Sequence, residues 1–317
     1  MEHKEAVRVP FGKTGLSVSP LTFGTWGIGG AGWDDYPDDV RLDAITAAVE
    51  AGINLIDTAP AYNAGKSEQY IGRALEETSL RKDVLITTKT GNDFIDGQYI
   101  RNGKADNIYA LCERSLKNLR TDYIDILLLH WPDPNVPLEE TMNAMQRLRE
   151  EKVVRHLGVC NISRQEMELA MQFTDLEVYQ AHYSLLMQDH TETISWAHDQ
   201  QMGIMVYGTL CGGLLTGRYR EQKNYEKMDN RNRFYGRFFQ EPAFSRAMEL
   251  LDDTIQPIAD AHEAALAEVA INWSRQQPFV DTCLVGAQKR SRVEANARSL
   301  DWTLTDDEMA KLNAWKM

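Results

Sequence analysis

The chain has 317 residues, 43% of them hydrophobic and 26% charged, enough to bury a large core without disulfide or metal staples. Its formal net charge of -13 argues against binding nucleic acid or acidic membranes through the overall field, though a few convergent basic residues can still hold an anion. Four cysteines (Cys112, Cys160, Cys211 and Cys283) lie far apart with no CxxC pair, against metal knuckles or a disulfide framework and for a reduced, cytoplasmic setting.

In chain order, the opening run MEHKEAVRVPFGKTG has no apolar signal core, and no later stretch approaches the ~18 apolar residues of a membrane span. The segment VRVPFGKTGLSVSP alternates around Lys13–Gly15 and reads as a hairpin. Eight β-rich runs follow: Leu21–Thr25, Asn54–Thr58, Val84–Lys89, Ile124–His130, Val154–Asn161, Val178–His182, Ile204–Tyr207 and Thr282–Val285. Several are apolar almost throughout, as in IDILLLH, which suits strands covered on both faces. Helical faces separate them: Leu42, Ile45 and Val49; Ile108, Leu111, Ser115, Leu116 and Leu119; Leu266, Val269, Ala270 and Trp273. This alternation predicts a parallel sheet with helical crossovers, closed into a barrel or wound open, in one domain over 1–317. The long irregular stretch 218–242, after the seventh strand, marks a functional loop.

Polar groups end three consecutive strands: Asp57, Lys89 and His130, with Tyr62 in the loop after the first of them. In a barrel those ends share one face, where active sites sit. Singly, each has an ordinary structural explanation as a turn cap, a solvated amine or a satisfied imidazole. Together they suit carbonyl reduction. A hydride arriving at carbon leaves charge on oxygen, and a tyrosine can protonate it. A lysine beside the phenol is expected to lower its pKa, a carboxylate to aim the lysine, and a histidine to orient the carbonyl.

The runs GINLIDTAPAYNAGKSEQYIGRAL, LLLHWPDP and VRHLGVCN resemble the landmarks of the aldo-keto reductases, especially bacterial general-stress members, and the resemblance covers essentially the whole chain. It implies a (β/α)8 TIM barrel with an N-terminal β-hairpin and a long loop after strand seven. It also implies Tyr62 as general acid, Lys89 and Asp57 as its tuning pair, and His130 as the carbonyl-orienting group.

Gly27–Gly32, GIGGAG, formally fits a dinucleotide fingerprint, but WDDYPDD follows where a helix should open, and its carboxylates would repel a phosphate. We read it as a flexible loop. The later run LVGAQKRSRVEANARS places Gln288, Lys289, Arg290 and Arg292 at a helix start, which fits either a phosphate site or a solvated basic face. The resemblance implies the former, with Gly286, Gln288, Lys289, Arg292 and Asn296 at the adenosine end of NADP(H), NAD(H) being the alternative. It further implies Tyr207 stacked on the nicotinamide, Gly208, Thr209, Leu210 and Gly213 near the phosphates, Asn161 and Gln180 on the carboxamide, and Thr25 and Trp26 lining the same pocket.

The chain departs from the family in three places. Cys160 stands where many members have Ser, Gly212 where many have a basic residue, and the sequence ends at Met317 soon after the last predicted helix. Substrate contacts are therefore expected from Trp33, the GNDFIDGQYIRNGK loop, Trp131 and the 218–242 stretch, beside Tyr62 and His130. The expected substrate is a small polar carbonyl compound such as an aldehyde or sugar, with no nucleic-acid, membrane or metal partner. Two alternatives are a cofactor-binding regulatory subunit with slow turnover and a barrel lyase forming a Schiff base on Lys89.

Overall fold

The computed structural model describes residues 6–316; residues 1–5 of the polar N-terminal run and Met317 lie outside them. The predicted hairpin forms as β1 (Val9–Pro10) and β2 (Ser17–Val18), paired antiparallel. The chain continues through β3 (Leu21–Gly24), β4 (Leu55–Asp57) and β5 (Leu85–Thr90), then a second hairpin of β6 (Asn92–Ile95) and β7 (Gln98–Arg101). It finishes with β8 (Ile124–Leu129), β9 (Val154–Cys160), β10 (Val178–His182), β11 (Gly203–Tyr207) and β12 (Thr282–Gly286). The eight strands other than the two hairpins close into a parallel barrel in chain order, β12 pairing back to β3. The (β/α)8 barrel expected from the alternation and the resemblance is the observed fold, and each predicted strand lies within a residue or two of its place.

Strand alternation divides the core in two. Leu55, Ile126, Leu128, Val178, Met205 and Leu284 cluster with Phe11 of the N-terminal hairpin inside the bore. Their sequence neighbours Ile56, Leu127, Leu129, Tyr179, Val206 and Cys283 belong to the larger outer cluster against the helices. Phe11 is fully buried and plugs the lower end of the barrel. The turn behind it comes so close to β11 that a Cβ on Gly12 would stand 2.2 Å from the Gly203 amide.

The predicted helical faces turn to the core as the 3.6-residue period requires, with Leu42, Val49, Leu116 and Leu266 partly buried at their margins. Ile108, Leu111, Ser115 and Leu119 of the Ala105–Leu119 helix turn inward, as do Val269, Ala270 and Trp273 of Leu266–Arg275. One expectation is corrected. The glycine run is not a flexible loop throughout, because Trp26–Gly29 forms a helical turn that Arg41 holds by donating to the Ile28 carbonyl. The carboxylates after it do not act as a bare repulsive cluster either. Asp34 pairs with Arg218 and Arg231, and Asp35 with Arg41. All four cysteines are free and buried. Among the described residues, no helix is long and apolar enough to cross a membrane.

Candidate active site

The period of two that puts Leu55, Ile126, Leu128, Val178 and Met205 in the bore also decides what stands above them. Asp57 shares the parity of Leu55, His130 that of Leu128, Gln180 that of Val178 and Tyr207 that of Met205. The four polar residues therefore converge at the carboxyl end of the barrel, where Lys89 of β5 joins them. Their segments are otherwise apolar, so barrel closure alone drags these groups out of water.

Lys89 is the hub. Its ammonium donates to the Asp57 carboxylate at 2.6 Å, to the Thr58 carbonyl at 2.9 Å and to the Tyr62 hydroxyl at 3.2 Å. Lys89 and Asp57 side chains are 0% and 1% exposed. Gln180 holds the other Asp57 oxygen by donating from Nε2 at 2.7 Å. The Tyr62 ring stands edge-on to His130, with centroids 5.9 Å apart, and is stacked on Trp26 at 6.0 Å. The phenol and ammonium brought from separate segments thus meet side by side.

Their electrostatics differ from the sequence expectation in one respect. Lys89 was to draw the phenol's pKa down, but burial, followed by the Asp57 charge, holds Tyr62 well above its ordinary value. Asp57 balances the neighbouring ammonium, so desolvation decides the sign. Tyr62 consequently keeps its proton at neutral pH. Asp57 itself is raised by burial, against the opposing pull of Lys89 and Gln180. Burial, aided by Lys89 and Arg101, holds His130 well below the usual imidazole range, so its ring is neutral. Its Nδ1 is buried with no partner among the described residues.

Tyr62, Asp57 and His130 face a cavity of about 990 Å³, and the other predicted site residues line the same space, except Lys89, which lies beneath, and Arg290 of the basic cluster. Thr25, Trp26 and Trp33 come from the β3 end, and Trp131 follows β8. Asn161 and Gln180 are engaged with protein groups: Asn161 accepts from the Tyr207 hydroxyl at 2.6 Å, and Cys160 Sγ donates to Gln180 Oε1 at 3.5 Å. Burial pushes the Cys160 thiol up, so it is protonated. The Thr209 hydroxyl donates to the Leu284 carbonyl at 3.1 Å. Gly208 and Gly213 have φ of +75° and +94°, and a Cβ at Gly208 would come within 2.3 Å of His182 Nε2. Leu210, Gly212 and Gly286 complete that side of the lining.

The basic cluster after β12 divides. Lys289 and Arg292 line the cavity and make no ion pair among the described residues, Lys289 resting over the Tyr36 ring at 4.4 Å. Buried Asn296 lies beside them. Arg290 points away and is committed to Asp43 and Glu50, which corrects its inclusion in a phosphate site. Gln288 spends its amide on the Gly27 and Asp34 carbonyls, at 2.8 and 2.6 Å, tying β12 to the loop after β3.

Sequence reasoning named the GNDFIDGQYIRNGK loop and the 218–242 stretch as substrate contacts, but neither their secondary structure nor the residues that reach the cavity. Tyr99 and Arg101 reach the cavity on the β6–β7 hairpin, and Arg231, Arg233 and Phe234 on the Asn230–Tyr235 helix. Both elements carried local signals. Asp96-Gly97 is a hairpin dipeptide with positive φ at both residues, and Asp229 is an N-cap accepting from the Arg231 amide.

The chain is 35% identical to aldo-keto reductase YhdN of Bacillus subtilis, over 95% of this chain and 90% of that protein. It is 30% identical to an NADH-specific methylglyoxal reductase of Escherichia coli, over 94% and 95%. Among solved structures, a glycerol dehydrogenase of Gluconobacter oxydans superposes with a TM-score of 0.87 at 30% identity, covering 98% of this chain and 95% of that one. An aldo-keto reductase of Klebsiella pneumoniae in complex with NADPH superposes at 0.74 and 25% identity, covering 98% and 95%. The profile of the Aldo/keto reductase family matches residues 20–316. From the first barrel strand to the last helix, then, this chain belongs to the aldo/keto reductase family.

Proposed function

We propose that this oxidoreductase reduces the carbonyl of a small polar aldehyde or sugar with NADP(H), using Tyr62 as the proton donor. The observation that carries the proposal is the 3.2 Å contact between the Tyr62 hydroxyl and the Lys89 ammonium at the floor of the cavity. When bound, the cofactor supplies the hydride. The chain supplies the rest. As negative charge grows on the carbonyl oxygen, the Tyr62 proton moves to it, and the adjacent ammonium offsets the phenolate left behind. Asp57, fixed by Gln180, keeps that ammonium aimed. Neutral His130 orients the carbonyl by hydrogen bonding.

The cofactor residues fit an NADP(H) molecule. Lys289 and Arg292 are cations with no ion pair among the described residues and stand beside a helix start, suited to a 2′-phosphate. The positive-φ glycines Gly208 and Gly213, with Thr209, Leu210 and Gly286, suit the phosphates and ribose, while Asn296 and Gln288 suit the adenosine end. Tyr207, Asn161, Gln180, Thr25 and Trp26 suit the nicotinamide end. The NADPH-bound relative supports this choice, and the NADH-specific relative makes NAD(H) the comparison to run. Schiff-base chemistry on Lys89 is disfavoured, because all three ammonium hydrogens are committed and the side chain is sealed from the cavity.

The experiment is Tyr62→Phe. It is expected to bind NADPH as the wild type does, by fluorescence titration, and to lose about 10²–10⁴ of kcat with an aldehyde. Undiminished turnover would remove Tyr62 from the role.

A further inference from the structure

The wall of the cavity next to Trp131 carries charge that the chemistry above does not use. Arg101 at the end of β7 and Arg233 in the Asn230–Tyr235 helix both line it. The Arg101 guanidinium lies over the Trp131 ring and that of Arg233 over the Tyr99 ring, each at 4.8 Å. In a chain of net charge -13, other arginines around the cavity, Arg292 apart, are matched by carboxylates: Arg231 and Arg218 by Asp34, while Arg114 pairs with Asp93, the residue after Asn92. Among the described residues neither Arg101 nor Arg233 has an ion pair. The Arg101 side chain donates, among the described residues, to the Pro132 carbonyl alone, at 3.5 Å, and its field is felt by partly buried Asp133 and by His130.

Aromatic faces hold a guanidinium flat without cancelling its charge, leaving its N–H fork for an oxyanion. Arg101 follows β5, three strands round the barrel from β12, which carries Lys289 and Arg292 at its end; Arg233 comes from the segment after β11 but is folded onto Tyr99 of the β6–β7 hairpin, so the pair belongs to the hairpin side of the cavity. Asn92 and Trp33 also line the cavity, and the Asn92 side-chain carbonyl and the Trp33 indole N–H are buried with no hydrogen-bond partner among the described residues. We propose that Arg101 and Arg233 receive an oxyanion of the substrate, a carboxylate or phosphate remote from the reacting carbonyl, so that the preferred substrates are anionic hydroxy-carbonyl compounds such as sugar acids or sugar phosphates. This rests on the reductase reading and narrows its substrate class.

The test compares kcat/KM of the NADPH-loaded enzyme within two pairs: 4-oxobutanoate against its amide, and glyceraldehyde 3-phosphate against glyceraldehyde. The charged member of at least one pair is expected to be favoured about tenfold or more. The pair that responds distinguishes carboxylate from phosphate. Arg101→Gln and Arg233→Gln should each lower that ratio about tenfold, chiefly through KM, and Arg101→Lys should restore part of it. A purely structural stacking role would change both members alike. Ratios near one in both pairs, or a ratio unmoved by either Gln variant, would overturn the proposal. If no aldehyde is reduced at all, the reductase reading falls instead. Calorimetric titration of the wild type and Arg101→Gln with succinate and with inorganic phosphate then decides the anion site. Saturable binding lost in the variant supports the site, and equal or absent binding overturns it.

Discussion

Asp57 and Lys89 illustrate how much a single buried side chain can carry. Each is sealed in the bore, and each has the other as its only opposite charge within 4 Å among the described residues. Asp57→Asn leaves an uncompensated ammonium in that place, and we expect it to cost about 3–5 kcal/mol of unfolding free energy. Urea denaturation measures this, and a loss below about 1 kcal/mol would mean that the pair is not structural. His182 makes a second prediction. Neither ring nitrogen has a partner among the described residues, and burial against Tyr207 and Tyr235 holds its pKa down at about 3. The unfolded imidazole takes a proton near pH 6.5, so the unfolded state binds more protons between those values. Stability is therefore full above about pH 6.5 and drains as pH falls towards 3, with about 2 kcal/mol gone from this residue by pH 5. His182→Phe should flatten that part of the curve, and a curve of unchanged slope would contradict the assignment.

At the scale of elements, legibility followed the strength of the local period. The apolar runs betrayed every barrel strand because strands buried on both faces need apolar residues at both parities. The terminal Asp57, Lys89 and His130 stood out against that background, as did Tyr62 in the loop between strands. What the period could not give was the outcome of charge pairing at a distance. Arg290 and Arg292 look alike in sequence, yet only Arg290 meets Asp43 and Glu50 across from the Asp38–Glu50 helix. The same blindness hid Asp34, whose pairing with Arg231 and Arg218 depends on where the 218–242 stretch folds back. The β6–β7 hairpin is a different failure, since its Asp96-Gly97 turn was there to be seen. Arg292→Gln is expected to weaken NADPH binding about tenfold and NADH binding much less. Arg290→Gln should leave NADPH affinity near that of the wild type and cost under about 1 kcal/mol of stability, because its ion pairs are half-exposed. Equal losses of NADPH and NADH affinity in Arg292→Gln would place the cation elsewhere than at a 2′-phosphate.

For the whole molecule, one geometric fact organises the rest. Closing eight alternating strands forces one parity into a bore, packs its lower end with Phe11 and apolar side chains, and leaves polar ends at the upper rim. The pKa direction at Tyr62 follows from that closure rather than from its nearest neighbour, which is why the sequence suggested the wrong sign. The most direct measurement is a single turnover with NADPH carrying deuterium at the transferring position of the nicotinamide and a polar aldehyde in excess. Deuterium is predicted on the carbinol carbon of the alcohol product, with the rate of its appearance cut by about 10²–10⁴ in Tyr62→Phe. Alcohol free of deuterium, or label arriving as fast in the variant as in the wild type, would contradict the account.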